Sequence, residues 1–129
     1  MIESPDQFPR AFAAAFGSQD AQGIADMLAP DAGMLTLTGR WADGADQAKL
    51  LLCDEFAGPL ARARLVTGRA GLTPLGPGAA ILHQRYVVTG ATDAHGAEMP
   101  RIGAILTATL AATPEGWRAL SLCLAPLSA

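Results

Sequence analysis

The pair Gly58-Pro59 divides the sequence into two parts with different hydrophobic patterns. Before it, apolar residues recur every three or four positions, a spacing typical of helices. After it come four stretches with the composition of strands, each about ten residues long and separated by short turn segments. These stretches are 62–75, 79–91, 101–112 and 117–124. Helices followed by consecutive strands predict an α+β fold with an antiparallel meander, because βαβ folds need alternating elements.

The part before Gly58 predicts three helices and one short strand. The helices span 5–16, 21–28 and 45–56, and the strand spans 34–38. Ser18-Gln19-Asp20 is a capping signal before the second helix, and Pro30 ends that helix. A sheet of this size has to curl around the helices to bury its apolar face, so a cone with an internal cavity is expected.

Length and composition predict a single folded domain over 1–129. The chain has 129 residues, of which half are hydrophobic and 16% are charged, so a core forms without disulfides or metals. Aromatic residues make up only 5%, so smaller side chains build most of the core. This composition favours either close packing of the elements or an internal cavity.

The charge balance and the first residues restrict the partners and the location. The net charge is −3, which offers no basic surface for a phosphate backbone, so nucleic acid is not an expected partner. No apolar run reaches the roughly 20 residues that span a membrane. The segment 1–6 is acidic where a secretory signal is basic, so a cytoplasmic location is expected.

The two cysteines, Cys53 and Cys123, are predicted to be reduced and buried. They have neither CxxC spacing nor a histidine cluster nearby. No group of His, Cys, Asp and Glu has metal-ligand spacing, and Gly76-Pro77-Gly78 is a turn rather than a phosphate-binding loop. The sequence therefore predicts no metal site and no cofactor.

Four short motifs occur in the order of a known family. They are Asp20-Ala21, the run 24–32, Gly39-Arg40-Trp41 and Gly116-Trp117-Arg118. Their order resembles the SnoaL-like and SgcJ/EcaC-like branches of the nuclear transport factor 2-like superfamily. The resemblance implies a curved, cone-shaped antiparallel sheet with N-terminal helices on its concave face and a pocket between them. It also implies a homodimer that packs through the outer face of the sheet.

The resemblance does not imply one reaction, because the superfamily holds isomerases, dehydratases, cyclases, carriers and association domains. In its steroid isomerase relatives a carboxylate base on the first strand falls near Thr36 of this sequence, and its partner acid falls within 106–110. Neither position holds a carboxylate. Ketosteroid-isomerase chemistry is therefore not predicted.

His83 and Arg85 are the candidate catalytic residues. Two residues separated by two positions on a strand face the same side, so these can act together. On the concave face, the imidazole would exchange a proton and the guanidinium would hold an oxyanion. The alternative is a solvated or dimer-contact pair on the outer face.

Four further residues are ligand-binding candidates: Trp41, Arg101, Cys123 and Tyr86. Trp41 follows the first strand, and its alternative role is a core aromatic. Arg101 is either at the cavity mouth or a surface charge, and Tyr86 points away from His83. Cys123 belongs to the small-residue face of the last strand, which is expected to border the cavity. The other face of that strand, with Leu120, Leu122 and Leu124, is expected to form the dimer interface.

Two functions remain open at this point. The first is a small-molecule-binding domain with an apolar pocket, with isomerase, cyclase or dehydratase activity on an unnamed substrate as one form of it. The alternative is a non-catalytic binding or association module. A cavity that contains His83, Arg85 and Trp41 favours the first, whereas a filled core with those residues outside favours the second.

Overall fold

The computed structural model describes residues 1–127. A 3-10 turn over Pro5–Gln7 leads into three helices, which are α1 (Phe8–Gly17), α2 (Ala21–Ala25) and α3 (Ala45–Phe56). The strands are β1 (Leu28–Leu35), β2 (Trp41–Asp43), β3 (Arg64–Pro74), β4 (Ala79–Thr89), β5 (Ile102–Thr113) and β6 (Gly116–Leu127). This order of elements confirms the α+β fold class.

All six strands form one sheet in the order β2-β1-β6-β5-β4-β3. The last four strands are antiparallel neighbours in chain order, as the predicted meander requires. The first strand, β1, joins the sheet parallel to β6, since the chain crosses back through α3 before the meander begins. This parallel pair was not predicted.

One face of the sheet is buried against the helices. Three phenylalanines at helical spacing on α1, Phe8, Phe12 and Phe16, are at most 1% exposed. The Phe16 ring meets the Phe56 ring of α3 edge to face, with ring centres 5.3 Å apart. The helices thus supply most of the aromatic side chains of the core.

The predicted element bounds agree with the structure where end signals are strong. The α3 helix has the predicted bounds, and the Asp20 carboxylate accepts a 2.9 Å hydrogen bond from the Gly23 amide as the N-cap of α2. The second helix, however, ends at Ala25 instead of residue 28. Its last predicted residues already belong to β1.

Pro30 lies inside β1, so the prediction that it ends the second helix is wrong, because α2 already ends at Ala25. The register between β1 and β6 shifts between Leu28 and Gly33, so the ladder is interrupted where Pro30 and Asp31 lie. Proline has no backbone N–H to donate, and an irregularity of this kind accommodates it inside a sheet.

The edge strand β3 carries a second irregularity. Its register to β4 shifts between Thr67 and Ala70, and the Gln84 side chain of β4 fills the space. The Gln84 amide nitrogen lies 3.1 Å from the Gly68 carbonyl oxygen and 2.7 Å from the Arg85 carbonyl oxygen. Gln84 is only 3% exposed, so these bonds satisfy a polar group that would otherwise be buried alone.

Candidate functional site

His83 and Arg85 lie on the outer face of the sheet. Along β4 burial alternates strictly: Leu82, Gln84 and Tyr86 face the helices, whereas His83 and Arg85 are exposed. Of the two placements that the sequence left open, the structure thus shows the outer one and not the concave one. The apolar members of the strand were drawn to the core, and the charged members remained in solvent. A catalytic role for the pair stays a prediction, without the cavity that it required.

Tyr86 is a core residue. Its side chain is 2% exposed, and its hydroxyl donates a 2.6 Å hydrogen bond to the Pro9 carbonyl oxygen. Its ring lies 6.4 Å from the Phe12 ring. Both the ring and the hydroxyl are occupied by the protein, so Tyr86 offers no free surface to a ligand. Burial raises the pKa of Tyr86 above its ordinary value, since the phenolate would lose its hydration.

Trp41 is neither in a pocket nor in the core. It is 55% exposed at the start of β2, and its indole N–H donates a 2.9 Å hydrogen bond to Asp43. The indole lies against Gly33, where a Cβ atom would fall 2.6 Å from the ring. Glycine at this position lets the ring contact the outer face of the sheet. Arg101 lies in the loop before β5 and is exposed.

The two faces of β6 are the reverse of the prediction. Leu122 and Leu124 are each 1% exposed and belong to the core, so they cannot form a dimer interface. Cys123 lies on the outer face between Thr107 of β5 and Leu35 of β1. Leu120 is 48% exposed. It lies at a shift in the register with β5, so the alternation of buried and exposed side chains is interrupted there. Cys53 is exposed on α3 and Cys123 is half-buried, so the prediction that both cysteines are buried is wrong for Cys53 and only partly met by Cys123.

The space between the helices and the sheet is filled with side chains. The residues packed there include Phe12, Phe16, Ile24, Tyr86 and Leu106, each at most 2% exposed. Two cavities of about 540 and 390 Å³ lie elsewhere, beside the exposed loop at Gly58 and at the start of β6. The ligand-binding candidates therefore do not converge on one cavity.

A cluster of charged residues that the sequence analysis did not single out lies at the end of α3. Glu55 is 2% exposed, and both its carboxylate oxygens are buried without a hydrogen bond within residues 1–127. Arg40 lies 3.9 Å from Glu55 and 2.6 Å from the neighbouring Asp54, which is exposed. One guanidinium therefore faces two carboxylates, one in solvent and one in the protein.

The turn between β1 and β2 holds Arg40 in this place. Thr36, the position that the resemblance relates to the carboxylate base of steroid isomerases, is 1% exposed. Its hydroxyl accepts a 3.2 Å hydrogen bond from the Arg40 amide, and its own amide donates to the Arg40 carbonyl oxygen at 2.9 Å. Thr36 is thus a structural residue of the turn, which directs the Arg40 side chain towards α3.

The buried carboxylate of Glu55 is the chemically unusual feature of this cluster. Carboxylates are almost never buried without a paired charge and hydrogen bonds, because desolvation is costly. Arg40 supplies charge but no hydrogen bond to Glu55. The cluster can therefore accept a hydrogen bond or a proton from a further group. The sequence contained a signal for the burial of Glu55, because this residue occupies a position in the apolar stripe of α3, next to Phe56.

Two further findings concern metals and membranes. Within residues 1–127, His, Cys, Asp and Glu side chains do not gather into a group of three that could hold a metal ion. In the same part of the chain, all helices are too short or too polar to cross a membrane.

Comparison with solved structures assigns the fold to a known class. An uncharacterized protein with a cystatin-like fold from Caulobacter vibrioides superposes with a TM-score of 0.84 at 16% identity, over 95% of this chain and 87% of the other. A nuclear transport factor 2-like protein with a cystatin-like fold from Novosphingobium aromaticivorans gives 0.72 at 21% identity, over 95% and 79%. The chain thus shares the cystatin-like fold of these two structures, which is the fold that its resemblance to the nuclear transport factor 2-like superfamily implied.

A third similar structure is a ketosteroid isomerase-like protein from Erwinia carotovora atroseptica. It superposes with a TM-score of 0.80 at 15% identity, over 96% of this chain and 94% of the other. Identities this low establish a shared fold and no shared activity. No protein-family model matches the sequence, and no curated protein matches it.

Proposed function

We propose that this protein is an association domain that forms a homodimer through the outer face of its sheet. The observation that carries the proposal is a filled core with the candidate site residues outside it. The helix-facing side is filled by the core, and His83, Arg85 and Trp41 all lie outside it. The outer face is the broad surface that remains for a partner.

The residues of this face suit a protein contact. Its centre is uncharged, with Ile105, Thr107, Cys123, Ala125 and Leu35 half-buried on neighbouring strands. Trp41 lies at one side and is an aromatic residue of the kind enriched in interfaces. His83 and Arg85 form the opposite, polar side.

The area is sufficient for a stable interface. Residues on one face of a strand repeat about every 6.8 Å, and strands lie about 4.8 Å apart, so each residue covers about 33 Å². Five rows across four strands cover roughly 650 Å², close to the roughly 800 Å² per partner of a standard interface. A second copy of the chain fits because the same face is then used twice around a two-fold axis.

The test is the mass in solution. Size-exclusion chromatography with light scattering is expected to give twice the 13.2 kDa of one chain. Ile105→Lys places a charge at the centre of the face and is expected to give the monomer. Leu50→Lys, on the exposed side of α3, is the matched control and is expected to remain dimeric. A parent protein that stays monomeric at all concentrations contradicts the proposal.

The second candidate is binding of a small organic molecule at the charged cluster, and the Glu55 carboxylate, which accepts no hydrogen bond within residues 1–127, favours it. A ligand with an O–H or N–H group would displace the Arg40 guanidinium and donate to Glu55. Isomerase, cyclase or dehydratase chemistry is one form of this candidate, with Glu55 as the proton acceptor.

Native mass spectrometry of the purified protein tests this second candidate. A bound molecule is expected as a discrete added mass that is lost in Glu55→Gln and kept in Asp54→Asn. An added mass that persists equally in both variants, or a parent protein without any added mass, speaks against a ligand at Glu55.

A further inference from the structure

Trp117 and Arg118 of the motif Gly116-Trp117-Arg118 line a surface cleft that neither proposed function uses. The cleft has a volume of about 390 Å³ and lies where β6 begins. Small-molecule sites commonly have about 300–1,000 Å³, so it is large enough for a compact ligand. Its walls include Ile2, Asp26, Met27, Glu115, Trp117 and Arg118.

Arg118 has unused binding capacity in this cleft. Its Nε atom is buried and donates no hydrogen bond within residues 1–127. The described part of the chain contains ion pairs at Arg40 only, so neither Asp26 nor Glu115 pairs with Arg118. A guanidinium has a rigid, forked arrangement of donors that matches a carboxylate. A buried donor that makes no hydrogen bond is costly in free energy.

A second cavity of about 200 Å³ adjoins the first. It lies between α2 and α3, and Arg118 and Asp26 line both cavities. Asp46 and Lys49 of α3 contribute charges to this second cavity. The Asp26 carboxylate is partly occupied, since Gln22 donates a 2.7 Å hydrogen bond to it.

The charges around Arg118 determine which ligand fits. A simple anion would be attracted by Arg118 but repelled by Asp26 and Glu115, which line the same cleft. A ligand with a carboxylate and an ammonium group meets a complementary charge at both ends. The apolar side chains of Met27 and Trp117 provide a surface for the remainder of the ligand.

We propose that this Arg118 cleft binds a small zwitterion with an apolar body, of the kind represented by a free aliphatic amino acid. The ligand carboxylate bonds to the Arg118 guanidinium, the ammonium group lies between Asp26 and Glu115, and the apolar body contacts Trp117 and Met27. This inference is independent of the dimer and of the Glu55 cluster.

The experiment is an NMR titration of the ¹⁵N-labelled full chain with L-leucine, followed on the amide signals of residues 115–119. A saturable shift of these signals is expected. Two analogues test the two charges on the parent protein itself: 3-methylbutylamine lacks the carboxylate, and 4-methylpentanoate lacks the amine. The affinity of each analogue is expected to be lower than that of L-leucine by about tenfold or more, because each lacks one charge-assisted contact.

Variants test the residue assignment. Arg118→Gln is expected to weaken L-leucine binding about tenfold or more, whereas Arg62→Gln removes an equal charge from the exposed turn before β3 and is expected to change nothing. The proposal is overturned if the parent shows no saturable shift, if 3-methylbutylamine binds as tightly as L-leucine, or if folded Arg118→Gln binds L-leucine like the parent. The analogue comparison decides the matter even if Arg118→Gln does not fold.

Discussion

The Tyr86 hydroxyl donates a 2.6 Å hydrogen bond to the Pro9 carbonyl oxygen, and this bond joins the middle of β4 to the first turn of α1. Both residues are buried, and 77 positions separate them along the chain. The contact thus links the first helix of the chain to the central part of the meander. A long-range hydrogen bond of this kind fixes the helix relative to the sheet as well as stabilising the fold.

Tyr86→Phe is expected to lower the free energy of unfolding by about 1–2 kcal/mol, since the buried Pro9 carbonyl oxygen loses this donor. Chemical denaturation at pH 7 measures the change. Leu120→Ala, at an exposed position of β6, serves as a control and is expected to change stability by less than about 0.5 kcal/mol. Equal stability of Tyr86→Phe and the parent would show that the hydrogen bond contributes nothing net.

The same tyrosine makes stability depend on alkaline pH. The folded-state pKa of Tyr86 is raised by burial, and the unfolded-state pKa is about 10. The folded state therefore holds its proton more tightly, so this contribution to stability is complete below pH 10 and declines as pH rises above 10. Tyr86→Phe is expected to lose less stability than the parent between pH 9 and 11, as thermal unfolding at several pH values can show. If the Tm values of the two proteins decreased equally with rising pH, this assignment would be contradicted.

Gln84 allows a prediction about the irregularity in β3. Gln84→Leu keeps the approximate size of the side chain but removes the donor that bonds to the Gly68 and Arg85 carbonyl oxygens. A loss of about 1–3 kcal/mol is expected, because the buried carbonyl groups lose a partner. Hydrogen exchange should also become faster for the amides of residues 67–70. A variant that is more stable than the parent would show that the strand closes the gap by itself.

Gly33 and Trp41 allow a prediction with two opposing effects. Gly33→Ala favours the strand by about 0.5–1 kcal/mol, but its new Cβ atom would fall 2.6 Å from the indole ring. Because Trp41 is exposed, the ring is expected to swing away and lose its hydrogen bond to Asp43. The expected result is a red-shifted tryptophan emission with little change in stability. Unchanged emission would mean that the ring does not lie against Gly33 in solution.

The sequence predicts the fold well because its strongest signals are local. Gly44 and Gly58 flank α3, and the predicted bounds of that helix are the observed ones. The strands of the meander begin and end within about two to three residues of their predicted ends, an ordinary uncertainty for such boundaries. Hydrophobic periodicity and turn residues act over a few positions and do not depend on tertiary structure.

The candidate site was predicted less well because it depends on which face of each strand meets the helices. The alternation of side chains along a strand predicts that His83 and Arg85 share one face of β4 and that Tyr86 lies on the other. Only the tertiary packing shows that the face with Tyr86 is the one that meets the core. In β6 both faces are apolar enough to be buried. Leu122 and Leu124 were therefore predicted to lie on the outer face, whereas they face the core. Glu55 was missed because its helical spacing with apolar residues of α3 shows only that they share a face, whereas its burial depends on tertiary packing.

Glu55 gives the last prediction, since a buried carboxylate without hydrogen bonds is expected to reduce stability. Replacing a buried ion pair by apolar side chains of similar size is often neutral or stabilising by about 1–4 kcal/mol, and here the half-exposed Arg40 keeps its bond to Asp54 when Glu55 is replaced. Glu55→Met is therefore expected to raise the free energy of unfolding, measured in urea. Asp54→Asn is the matched control on the exposed side of the same helix, with an expected change below about 0.5 kcal/mol. If Glu55→Met is instead clearly destabilised, the Arg40 pair compensates the buried charge, and Glu55 is a structural residue rather than a free acceptor.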